Sequence, residues 1–73
     1  MDAAAFLELA HDLLDARPGS LGLDDRLEDI GWDSLANVEL IAHLDVDHGT
    51  VVDPRRLDDC TDLREVLALT RRP

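Results

Sequence analysis

Apolar residues recur at helical spacing in three stretches of the chain, with helix-breaking residues between them. Over residues 2–16, Phe6, Leu9, Ala10 and Leu13 share one face, with Leu7 and Leu14 beside it. Asp2 ahead of Ala3-Ala4-Ala5 supplies a cap and sets negative charge at the positive end of the helix dipole. Arg17-Pro18-Gly19-Ser20 is expected to stop this helix, because Pro cannot continue it and Gly relaxes the backbone. Residues 18–33 then read as a long connection. A structureless connection of that length is unusual in a small domain, so Leu21, Leu23, Leu27 and Ile30 are expected to pin it across the core. Asp24-Asp25-Arg26-Leu27 is the candidate for one short helical turn.

A second helix is predicted to start at Asp33 or Ser34, either of which can cap it, and to run to about His48. Gly49 suits the position just past its last turn. Val51-Val52 is an extended exit, and Asp53 followed by Pro54 reads as a cap and first helical residue, opening a short helix over 54–58. Asp59-Cys60-Thr61-Asp62 opens the last helix, whose inner face is Leu63, Val66 and Leu67 with Leu69 beside it. Arg71-Arg72 would sit favourably at its negative end. The fold class is all-α: three main helices and one short one, with a long loop between the first two. No repeat or linker divides the chain, so residues 1–73 are expected to form a single domain.

The second helix has two apolar faces. Leu40, Ile41, Leu44 and His48 fall on one side, and Leu35, Val38, Ala42 and Val46 on nearly the opposite side. One stripe suffices to pack a surface helix. The other implies either burial on both sides or a strip for a partner. Glu39 and Asp45 flank it, so a partner groove would carry apolar and basic residues.

Composition narrows the classes of function. The 73 residues leave little room for a deep catalytic pocket. Seventeen acidic residues against seven basic ones, all Arg, give a net charge of −10. That sign repels nucleic acid and favours partners with basic patches. Cys60 is alone, so no intramolecular disulfide forms, and a free thiol suits a reducing cytosol. No apolar run approaches the roughly 20 residues that span a membrane. The expectation is a cytoplasmic monomer that contacts neither nucleic acid nor membrane.

Ser34 stands where backbone N–H groups and the helix dipole favour a phosphate ester, although a serine there is also an ordinary cap. Its surroundings decide between these. The run Asp25-Arg26-Leu27-Glu28-Asp29-Ile30-Gly31-Trp32-Asp33-Ser34-Leu35-Ala36-Asn37-Val38-Glu39-Leu40-Ile41 resembles the attachment region of acyl and peptidyl carrier proteins. The likeness lies in the Leu-Glu-Asp-Ile-Gly lead-in, the Asp-Ser-Leu centre and the Val-Glu-Leu that follows. The predicted helix order extends it to the whole four-helix carrier-protein bundle.

The resemblance implies that a phosphopantetheinyl transferase attaches 4′-phosphopantetheine to Ser34, with Asp33 as the motif acid beside it. The arm's thiol would carry an acyl or aminoacyl group as a thioester. Partner enzymes would do all the chemistry: an acyl- or aminoacyl-loading enzyme, then a downstream synthase or transferase. Leu35, Val38, Glu39 and Ala42 match partner-facing positions of the family, and Val46 extends the strip. Some positions depart from the fatty-acid carriers. Ala42 stands where a larger apolar residue is common, Val46 where an acid is common, and His48 in place of an aromatic core residue. The third helix is one residue short, and Lys is absent. These departures point to a discrete carrier of a polyketide or nonribosomal peptide pathway, an expectation also drawn from Met1 standing directly ahead of the first helix. The alternatives are a fatty-acid-type carrier and an unmodified helical docking module.

Other chemistries fit poorly. Ser34 and His43 lie nine residues apart on one predicted helix, about 13 Å along its axis, too far for a nucleophile and its base. His48 is farther, only His11 could approach from another helix, and no oxyanion hole is evident. Asp45-Val46-Asp47-His48-Gly49 has the acids of a calcium loop, but Gly comes one position early and the later Glu is missing. No catalytic or metal site is expected. Trp32 either covers the core or meets a partner, with packing favoured. Cys60 reads as a small core hydrophobe, and Arg55 and Arg56 as solvated.

Overall fold

A computed structural model describes residues 1–70. The chain forms α1 (Ala3–Leu14), a single 3-10 turn (Leu27–Asp29), α2 (Ser34–His48), α3 (Pro54–Asp58) and α4 (Leu63–Thr70). The expectation placed on Arg71 and Arg72 lies outside the described residues. Strand-like pairing among the described residues is one isolated antiparallel bridge, Arg26 to Asp62. The all-α arrangement of three main helices and one short one, expected from the residue pattern, is the fold observed among the described residues.

Asp2 caps α1 by accepting the Ala5 N–H at 2.8 Å. Phe6, Leu9 and Ala10 are buried, while Leu7, Leu13 and Leu14 pack partly covered against the core. The expected stop at Arg17-Pro18 is corrected, because α1 already ends at Leu14. Asp15 turns the chain with a left-handed φ of 52°, a conformation that Asp tolerates better than most residues. The Asp15 and Ala16 N–H groups then bond back to Asp12 and His11 carbonyls, satisfying the helix end.

The long loop is held by side chains and backbone together. Leu27 is buried, and Leu21, Leu23 and Ile30 are partly so. In addition, Leu63 N–H donates to Asp25 C=O at 3.2 Å, Arg64 N–H to Leu23 C=O at 2.9 Å, and Leu27 N–H to Thr61 C=O at 2.9 Å. The loop thereby satisfies donors at the start of α4 that no helix can satisfy internally. Those commitments explain why the turn expected over Asp24–Leu27 forms instead at Leu27–Asp29. The Leu23 and Asp25 carbonyls are taken by α4; the chain turns at Gly22–Asp25, where Asp25 N–H donates to Gly22 C=O at 3.1 Å, and is extended at Arg26 before the 3-10 turn begins.

Phe6, Leu40, Leu44, Leu57, Leu63 and Val66 are the largest fully buried side chains. They come from all four helices, so one core fixes all four. α3 is short but well begun, with Asp53 accepting the Arg55 N–H at 2.9 Å and Pro54 at the first position. Asp62 caps α4 through the Glu65 N–H at 2.8 Å. The buried Thr70 hydroxyl donates to Leu67 C=O at 2.7 Å, so no polar group is stranded there.

Candidate functional site at the start of α2

The approach to α2 is a tight turn. Gly31 has φ +77°, a conformation that a side chain would strain. It lets Trp32 N–H return to Leu27 C=O at 3.1 Å and sends the chain directly into the helix. Asp33 is the cap, and its carboxylate accepts the Leu35 N–H at 3.1 Å and the Ala36 N–H at 3.2 Å. Ser34 is the first helical residue, not the cap. The expectation of free backbone donors here is corrected, because Asp33 engages two of them. Ser34 is exposed, and its hydroxyl makes no hydrogen bond to a described residue.

Trp32 is only 7% exposed, so it packs into the core. Its indole N–H donates to Asn37 Oδ1 at 2.6 Å, and Asn37 Nδ2 donates to Asp58 Oδ1 at 3.2 Å. Asn37 and Asp58 were not foreseen as part of the site. The only sequence signal was that a buried indole N–H needs an acceptor; nothing local pointed to Asp58, 21 residues further on.

The two apolar faces of α2 separate cleanly. Ala36, Leu40 and Leu44 are buried and Ile41 is half-buried, so Ala36 joins the inner face beyond the residues the helical pattern assigns to it. On the other side Leu35 and Val38 are 62% exposed and Val46 is 82% exposed. Ala42 and Glu39 are exposed as well. Burial on both sides is therefore excluded. His48, placed among the inner residues, is also exposed. It is the last residue of α2, one turn beyond Leu44, and its ring lies 6.0 Å from that of His43.

The residues considered for other chemistry are occupied elsewhere. His11 Nδ1 lies 2.6 Å from Leu7 C=O, and Nε2 accepts the Leu21 N–H at 3.2 Å. The Nδ1 contact stays within α1, and Nε2 fastens the loop to that helix. His43 Nε2 lies 3.0 Å from Asp47 on its own helix. Among the described residues, no group of three or more His, Cys, Asp or Glu could hold a metal ion. Cys60 is half-buried and donates to Arg56 C=O at 3.4 Å. Burial, then the nearby carboxylates of Glu65, Asp62 and Asp59, push its thiol up to about 11, so it stays protonated at neutral pH. A groove of about 650 Å³ runs along α1 and the loop, and α2 contributes nothing to its lining. Among the described residues, no helix is long and apolar enough to cross a membrane.

What Ser34 offers is a primary hydroxyl in the open, uncommitted to any described residue, on a backbone fixed by Gly31, Trp32 and Asp33. That suits an exposed covalent arm and not a buried ligand. A family model described as the phosphopantetheine attachment site matches residues 4–70. No curated protein and no solved structure matches the chain.

Proposed function

We propose that Ser34 is the loaded serine of this chain, which belongs to the phosphopantetheine attachment site family of acyl and peptidyl carrier proteins. Domains of this family are non-catalytic and carry a covalent 4′-phosphopantetheine on a serine. The family implies a phosphopantetheinyl transferase and acyl-loading or downstream enzymes as partners. Once bound, the group supplies a flexible arm on which acyl groups are tethered. The protein's part is to hold the arm's root and to present it.

The observation that carries the assignment is the state of Ser34: first residue of α2, exposed, with its hydroxyl free of hydrogen bonds to described residues. Asp33 supports it by capping the helix, which fixes the backbone under the hydroxyl. A developing phosphate ester there also meets the positive end of the α2 dipole. Tethering then raises the local concentration of cargo at whichever enzyme the carrier visits. Leu35, Val38, Glu39, Ala42 and Val46 form the surface that such enzymes would grip.

The pathway we favour is polyketide or nonribosomal peptide biosynthesis, with residues 1–73 acting as one carrier domain. Ala42 and Val46 support that reading, because both are exposed and make the strip smaller and less acidic than in fatty-acid carriers. His48 no longer contributes to it, since its side chain is at the surface.

Intact mass spectrometry after incubation with coenzyme A and a broad-specificity transferase tests the assignment. The wild type should gain one phosphopantetheine and Ser34→Ala none. No gain in the wild type, or a gain in Ser34→Ala, would sink it. The mass of the arm-bearing protein from its native host reads the cargo, and a saturated fatty acyl chain there would refute the pathway.

A further inference from the structure

Trp32, Asn37 and Asp58 form a hydrogen-bonded chain that passes beside Ser34. Trp32 lies two residues before Ser34, and Asn37 is its neighbour three residues along the helix surface. Asp58 is the last residue of α3. An indole N–H can only donate and a carboxylate can only accept, so the residue between them must do both. An amide does this, which fixes Oδ1 toward Trp32 and Nδ2 toward Asp58. Among the described residues, Asn37–Asp58 is the one side-chain hydrogen bond joining α2 to α3. Its two ends differ. The Trp32 side is buried in the core, whereas Asp58 is exposed. Asp58 also sits at the carbonyl end of α3, where a negative charge is disfavoured without a donor.

We propose that Asn37 is a positioning residue for the loading of Ser34. It holds the end of α3 at a fixed place beside the attachment hydroxyl, so that an enzyme seating over Ser34 meets α2 and α3 as one preformed surface. This deepens the reading of Ser34 and rests on it. Leu57 keeps α3 seated in the core, but loss of the link frees the exposed end of α3 at Asp58, and a transferase must then reorder that end on binding, which weakens recognition of the carrier more than the chemical step.

Three variants test this with coenzyme A and a broad-specificity transferase, read as kcat and KM for the carrier. Asn37→Asp keeps an acceptor for Trp32 but loses the donor to Asp58 and sets two carboxylates together. Asp58→Ala removes the same link from the exposed side, where the fold is least at risk. Both should raise KM by about threefold to tenfold, the range expected for the loss of one ordinary, solvent-exposed hydrogen bond, with kcat held within about twofold. In the Asn37→Asp/Asp58→Asn pair the new carboxylate can accept from Trp32 with one oxygen and from the new amide with the other, so KM should return toward the wild-type value. Trp32 is the only Trp and the chain has no Tyr, so its fluorescence reports directly on the buried end. Its emission should stay that of a buried indole in all three. A wild-type KM in Asp58→Ala or Asn37→Asp, or a pair that fails to recover, overturns the proposal. If the wild type takes no arm, or Ser34→Ala does, the Ser34 reading falls and this one with it. If loading requires Ser34 but is indifferent to the three variants, only the positioning role is lost.

Discussion

Leu40 and Leu44 on one side of α2 are sealed from solvent, while Val38 and Val46 on the other stand in water. All four are aliphatic, and all lie on one helix of fifteen residues. Hydropathy does not distinguish them; their neighbours do. α1, α3 and α4 converge on the inner face through Phe6, Leu57, Leu63 and Val66, and among the described residues no element covers the outer one. The outer strip therefore exposes apolar area that brings the isolated protein no stability. Two faces alike in chemistry and unlike in cover are what a helix needs when it must hold a fold and also be gripped from outside.

The sharpest way to break that comparison is on the inner face. Leu40→Ala deletes a fully buried side chain and leaves a cavity, so it should cost about 2–5 kcal/mol. Small domains have only about 5–15 kcal/mol in total. Urea unfolding followed by helix content would show the midpoint fall steeply or the native baseline vanish. A loss under about 1 kcal/mol would mean that α2 is not seated on its inner face as described.

A smaller effect is expected at the helix end, which is exposed like the outer face yet structurally committed like the inner one. Asp33→Ala frees the Leu35 and Ala36 N–H groups that its carboxylate engages. Loss of such a cap costs about 1 kcal/mol. Asp33→Asn keeps an acceptor and should stay within about 0.5 kcal/mol of the wild type. Urea midpoints for the two variants separate the capping oxygen from the charge. Equal losses in both would assign the stabilisation to the negative charge at the dipole and not to the hydrogen bonds.

How much of this was legible in the sequence depends on the range of the interaction. α3 was read to the residue, because Asp53 and Pro54 specify its start locally. The end of α1 was not, because Asp15 adopts a left-handed conformation more typical of glycine. The turn at Leu27–Asp29 was displaced by backbone bonds to α4, some forty residues away in sequence. At the candidate site, the 17-residue motif singles out Ser34, and helical periodicity marks the outer face that the structure leaves exposed. Neither could show that Asp33 consumes the helix donors, or that Asn37 bridges Trp32 to Asp58. Those facts depend on side-chain direction in three dimensions, which spacing alone does not carry.

The smallest effect on stability, and the one that most sharpens the comparison, is expected for Val38→Asp. Val and Asp have similar helix propensities, and position 38 lies in the first half of α2, where an added negative charge does not oppose the dipole. The side chain it replaces is already mostly in water. Stability should therefore stay within about 0.5 kcal/mol of the wild type, as for surface substitutions generally. Turnover by a partner enzyme should nonetheless drop by about tenfold, because a charge would be buried where an apolar contact is made. Measured beside Leu40→Ala, only two residues away, it gives the opposite pattern: an intact fold with impaired partner use. If Val38→Asp unfolds the protein, the outer strip is part of the core. If it folds and turns over normally, the strip is bare surface, and partners grip the carrier elsewhere.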